Sequence, residues 1–160
     1  MMQIQEQKQL VELLIQKKYH ITTAESCTGG MVASAIVDVS GASNVFEEGY
    51  ITYSNAVKEK LLHVSEKSIE QWTEVSEQVA CEMAYGACKA SGAEVSVAVT
   101  GYAGPEGGAD GTPAGTVYIG TCINGKAKAK YYLFQGSRED VRRQAAAEAI
   151  RYVMERITQE

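Results

Sequence analysis

The chain has 160 residues, 45% of them hydrophobic, and a formal charge of -5 at pH 7. That length and apolar content predict one domain over 1–160 with a sizeable core, and no apolar run is long enough to cross a bilayer as a helix. The negative balance argues against a nucleic-acid partner while leaving room for a local basic pocket that takes a small anion.

The first residues, Met1-Met2-Gln3-Ile4-Gln5-Glu6, lack a basic region followed by an apolar core, so no signal peptide is expected. The four cysteines, Cys27, Cys81, Cys88 and Cys122, form no CxxC pair. Cys81 and Cys88 fall two turns apart on one predicted helix, too far for an unstrained bridge, and a reduced, cytoplasmic setting is expected. His20 and His63 have no cysteine or carboxylate at ligand spacing, so no structural zinc is expected, and each reads as a surface or boundary residue.

In chain order, Gln3 to Lys18 predicts an amphipathic helix, with Leu10, Val11, Leu14 and Ile15 as its stripe. Ile21-Thr22-Thr23-Ala24 predicts a strand. Ala24-Glu25-Ser26-Cys27-Thr28-Gly29-Gly30 then turns the chain into a helix over 31–37. A strand-to-helix turn aims free N–H groups outward, and its glycines admit a ligand close to the backbone. The plainer account of the same residues is a capped helix with glycines that fit a tight turn. A strand is expected from about Glu48 to Tyr53, then a short helix capped by Ser54 or Asn55 that carries Lys58. Ser65 to Gln71 predicts another short helix with Trp72 packed at its end. Ser76 caps a longer helix to about Ser91, closed by Gly92. Glu94 to Thr100 reads as a central strand, and the glycine-rich Gly101 to Pro113 follows at its end, where open α/β sheets place their sites. Residues 115–123 and 127–134 bracket Asn124-Gly125, a hairpin signal. Ser137 caps a long final helix whose start holds Arg138, Arg142 and Arg143. This order predicts an α/β fold: a three-layer α/β/α domain whose mixed sheet contains an antiparallel hairpin.

The chemistry open to these residues is nucleophilic. No histidine lies in either candidate loop, so Ser26 needs another base, and a Lys58 made neutral by burial can serve. Tyr53 can relay a proton or hold the lysine. Cys27 is the rival nucleophile, since thiolates form readily at helix N-termini; it also suits a small core space. Arginines at a helix start oppose its dipole, so Arg142 and Arg143, with Arg138, read either as a solvated face or as an anion clamp. Gln144 can read an amide or hydroxyl, and Thr100 can contact Ser26 or the substrate.

Six blocks in order resemble one family: Ala24 to Gly30, Gly49 to Asn55 with Lys58, Val75-Ser76-Glu77, Thr100 to Pro105 with Gly107-Gly108, Pro113 to Val117, and Arg142 to Ala145. They are similar to the CinA C-terminal domain family over nearly the whole chain. The resemblance implies a three-layer α/β/α domain, often a homo-oligomer, that hydrolyses nicotinamide mononucleotide to nicotinic acid mononucleotide and ammonia with neither metal nor organic cofactor. It implies Ser26 as nucleophile, Tyr53 and Lys58 as its catalytic partners, and a substrate site drawn from Thr28, Gly29, Gly30, Thr100, Gly101, Arg142, Arg143 and Gln144. Tyr102 departs from the pattern, standing where an aliphatic residue is expected. Two other readings stay open: an inactive nucleotide-sensing or protein-interaction module, and an amidase that uses Cys27.

Overall fold

The structure is a computed structural model that describes residues 4–160. Helix α1 (Ile4–Lys17) leads into β1 (Ile21–Glu25), α2 (Met31–Val37), a short 3-10 turn at Ala42–Asn44, and β2 (Tyr50–Ile51). Then come α3 (Asn55–Leu62), α4 (Glu66–Trp72), α5 (Glu77–Ser91), β3 (Val95–Gly101), β4 (Thr116–Ile123), β5 (Lys126–Leu133) and α6 (Arg138–Gln159). The expected start of α1 at Gln3 lies outside the described residues.

The sheet order is β2-β1-β3-β4-β5. β1 runs parallel to β2 and β3, and β3, β4 and β5 are joined antiparallel. The mixed sheet and the Asn124-Gly125 hairpin are as expected; Asn124 and Gly125 both take positive φ, as a two-residue turn of this kind requires. This topology brings the carboxyl ends of β1, β2, β3 and β5 to one edge. Ser26, Thr52, Gly101 and the start of α6 therefore meet there without being near in sequence.

The side-chain period of two splits the central strands between two cores. Val95, Val97 and Val99 face a cluster with Leu10, Leu14, Ile36, Ile150 and Ile157, while Ala98 and Cys122 face Leu62, Val79 and Met83. Helices α1, α2 and α6 cover the first face and α3 and α5 the second, which makes the three layers. Small residues on the second face allow backbone-to-backbone approach: a Cβ on Gly86 would collide with the Leu62 carbonyl, and one on Gly120 with the Ala80 carbonyl. Gly86→Ala gains helix propensity but forces α5 away from the end of α3, and the expected net loss is about 1–3 kcal/mol. A lowered urea midpoint with an unchanged m-value checks it.

Two local expectations differ, and an open one, the cap of α3, is decided. The strand read over Glu48 to Tyr53 shrinks to Tyr50–Ile51, because this edge strand pairs only with the end of β1. Ser54, not Asn55, caps α3: its side chain accepts from the Val57 N–H at 3.2 Å. Trp72 ends α4 but is 45% exposed, so it does not pack there as expected. The caps at Ser76, Gly92 and Ser137 fall where the sequence puts them, the last as a full capping box with Asp140.

Candidate active site

The edge strand β2 ends just before Thr52, which is fully buried, while Tyr53 beside it is 64% exposed. Just beyond the strand the Thr52 carbonyl meets a side chain from the first turns of α3. Lys58, one turn into α3, is 1% exposed. Its Nζ donates to the Thr52 carbonyl at 2.8 Å and to Ser26 Oγ at 3.1 Å. Burial pushes the Lys58 ammonium below its ordinary value; the nearby Glu74 carboxylate pulls the other way. A buried lysine whose side-chain partner is a serine hydroxyl is a base poised on a nucleophile. Ser26 is itself fixed by its N–H, which donates to the Val99 carbonyl on β3 at 2.9 Å.

The turn after Ser26 differs from expectation in one important respect. The amides at the start of α2 are not free: Val32 and Ala33 donate to the two oxygens of the buried Glu25 carboxylate at 2.9 and 3.0 Å. The Gly29 N–H closes the turn onto the Ser26 carbonyl at 3.1 Å. Gly29 and Gly30 both take positive φ, so the turn needs them for its own shape. Glu25 thus anchors the helix that follows the nucleophile. A carboxylate within reach of a helix start suits the positive end of the dipole, but Ser26 and Thr28 read as the caps and masked it. Glu25→Ala strands two donors beneath the turn and is expected to cost about 2–3 kcal/mol, read as a fall in urea midpoint.

The other candidates divide. Ser26, Cys27, Tyr53, Lys58, Thr100, Gly101 and Arg138 all line one cleft of about 340 Å³, together with Glu74 and Tyr102. Tyr53, expected beside the lysine, stands at its rim, and its hydroxyl accepts from Arg138 Nη2 at 3.1 Å. Thr100 lines the cleft with Ser26, and its Oγ1 donates to the Glu74 carbonyl at 2.7 Å, which pins that loop to β3. Arg142 is occupied by the turn: Nε donates to the Cys27 carbonyl at 2.9 Å and Nη2 to the Thr28 carbonyl at 3.3 Å. Arg143 pairs with Glu139 one turn earlier, and Gln144 donates to the Gln135 and Asp140 carbonyls. Both line a separate hollow between α2 and the start of α6 with Met31, Ser34 and Asp38. The arginine in the cleft is Arg138, whose Nη1 donates to the Gly104 carbonyl at 2.6 Å. A helix advances 100° per residue, so Arg138 and Arg142 share one face while Arg143 is turned away. Thr28 is buried beneath the turn.

Cys27 is 5% exposed, and burial pushes its thiol up to about 11. A helix N-terminus lowers a thiol's pKa only where it is free to act, and here Glu25 occupies it. All four cysteines are free.

The family model described as the CinA C-terminal domain matches residues 3–157. The nicotinamide-nucleotide amidohydrolase PncC of Enterobacter agglomerans is 50% identical over 131 residues, covering 81% of this chain and 80% of that protein. A CinA-like protein of Kosmotoga olearia is 45% identical over 144 residues, but the chain spans only 35% of its length. Among solved structures, a competence-damaged protein (CinA) superfamily protein from Escherichia coli shares 41% identity with a TM-score of 0.93, covering 95% of this chain and 89% of that one. Another from Klebsiella pneumoniae shares 34% with a TM-score of 0.95, covering 98% of each chain.

Proposed function

The chain belongs to the CinA C-terminal domain family, and from that premise we propose that it is an amidohydrolase acting on nicotinamide mononucleotide through a Ser26 acyl-enzyme. The observation that carries the reading is the 3.1 Å contact between buried Lys58 Nζ and Ser26 Oγ. Support also comes from the amidohydrolase name of a relative half identical over four-fifths of each chain.

In this reading neutral Lys58 takes the Ser26 proton directly, with no tyrosine between them. Ser26 Oγ attacks the carboxamide carbon. The developing oxyanion falls to the backbone N–H of Cys27, which lines the cleft beside the nucleophile and lies outside the set that Glu25 engages. Lys58, now charged, returns its proton to the leaving nitrogen, and ammonia departs. Water, deprotonated by the same amine, releases the acid. Arg138 at the cleft mouth meets the phosphate, a charge-assisted contact that its hold on the Gly104 carbonyl pre-orients.

The test is ammonia release from nicotinamide mononucleotide by the purified protein. Steady release, with nicotinic acid mononucleotide formed in equal amount, supports the reading. A folded protein that binds the nucleotide and releases no ammonia overturns it in favour of a nucleotide sensor.

A further inference from the structure

Two side chains in the cleft take no part in the serine–lysine chemistry. Glu74 comes from the loop before α5 and Tyr102 from the residue after β3, and both line the cleft beside Ser26. Each is fixed through its main chain. The Glu74 carbonyl accepts from Thr100 Oγ1 at 2.7 Å. The Tyr102 N–H donates to the Thr116 carbonyl at 2.9 Å, and its own carbonyl accepts from Gly115 at 2.7 Å. The Tyr102 ring also backs onto Gly108, where a Cβ would stand 2.8 Å from a ring carbon. Glu74, Tyr102 and Lys58 line one cleft, and the Glu74 carboxylate there favours the protonated forms of both the lysine and the phenol.

That carboxylate works against the chemistry in the free protein, because it favours the protonated form of the lysine that must act as a base. A compensating benefit is available from the substrate. The ring of a nicotinamide nucleotide is a pyridinium: it carries a full positive charge with no N–H to donate. Such a ring is recognised by a negative charge and by the face of an aromatic side chain.

Resting on the nicotinamide-nucleotide reading, we infer that Glu74 and Tyr102 form the subsite for the cationic pyridinium ring and select it over an uncharged ring of the same shape. The bound cation offsets the Glu74 charge at Lys58, so the base loses its proton more readily once substrate is in place. Tyr102, the departure from the aliphatic residue expected there, supplies the aromatic face. Glu106 also lines the cleft, from the loop beside the Gly104 carbonyl that Arg138 holds, and serves as the comparison carboxylate.

The experiment is calorimetric binding to the Ser26→Ala protein of nicotinamide mononucleotide and of its carbon-linked benzamide isostere, which keeps the shape and phosphate but has no ring charge. The cationic nucleotide is expected to bind about tenfold more tightly, with the preference falling to about twofold in Glu74→Gln and falling less far in Tyr102→Leu. Glu106→Gln keeps the full preference. A merely structural role for Glu74 weakens both ligands alike and leaves their ratio unchanged, which overturns the inference, as does equal binding of the two to the Ser26→Ala protein. Preference for the cation alongside wild-type protein that releases no ammonia sinks the amidase reading and leaves the pyridinium subsite standing. Failure of both ligands to bind overturns both.

Discussion

Ser26→Ala is expected to abolish ammonia release, by about a thousandfold or more, while Cys27→Ala stays within about threefold of wild type. The two residues are adjacent, so a strand-to-helix turn presents only one of them to the cleft chemistry, and the surroundings of each decide which. Ser26 Oγ has a base 3.1 Å away. The Cys27 thiol sits in the core with Val32 and Ala35, pushed up to about 11 by burial, so at neutral pH it is neither charged nor paired with a base. Removing its sulfur leaves a small cavity and a modest stability loss, which a urea midpoint separates from any kinetic effect. The inverse pattern, with Ser26→Ala active and Cys27→Ala dead, would assign the acyl-enzyme to sulfur and overturn the serine mechanism. Mass spectrometry of the protein trapped with substrate at low pH gives an independent check, since the acyl adduct maps to one residue.

The parts of this arrangement that were legible in the sequence are those carried by local rules. Ser76, Gly92 and Ser137 mark helix ends because capping is decided within a few residues, and the Asn124-Gly125 hairpin because its turn needs positive φ. The meeting of Ser26 and Lys58, 32 residues apart, followed from family resemblance and not from spacing. Sheet order brings them together, and no local pattern encodes sheet order. The contacts that hold Lys58 were illegible for a different reason: the Thr52 partner is a main-chain carbonyl, which any residue type would supply. The arginines show the limit of a helical cluster read without its phase. Arg138, Arg142 and Arg143 look alike in sequence. One joins the rim of the cleft, one ties down the turn, and one pairs with Glu139 beyond it. Glu25 hid behind its neighbours, because serine and glycine at a turn suggested an open anion site that the carboxylate in fact fills.

Lys58→Met is expected to lower turnover by about a hundredfold to ten-thousandfold while leaving the fold intact, since methionine matches the length of the apolar stem and the position is buried. Two pH signatures distinguish lost base chemistry from a disturbed cleft. Burial lowers the Lys58 pKa below its ordinary 10.5, and only the neutral amine accepts the Ser26 proton. Wild-type kcat/KM therefore falls as pH drops through that lowered value, and the residual activity of Lys58→Met lacks this limb. The stability signature has a definite sign. Between the lowered folded value and 10.5 the unfolded chain binds a proton at this lysine that the folded chain does not, so stability rises with pH across that window. Below the window both states are protonated and the folded protein bears the full cost of a buried charge. Urea midpoints measured from neutral pH upward should climb more steeply for wild type than for Lys58→Met, and the difference between the two isolates this lysine from every other group that titrates in the same range. Parallel curves would mean that Lys58 is not neutral in the folded protein at any working pH. The base would then have to be sought elsewhere in the cleft, with Glu74 the first alternative because it is the carboxylate closest in effect to the lysine.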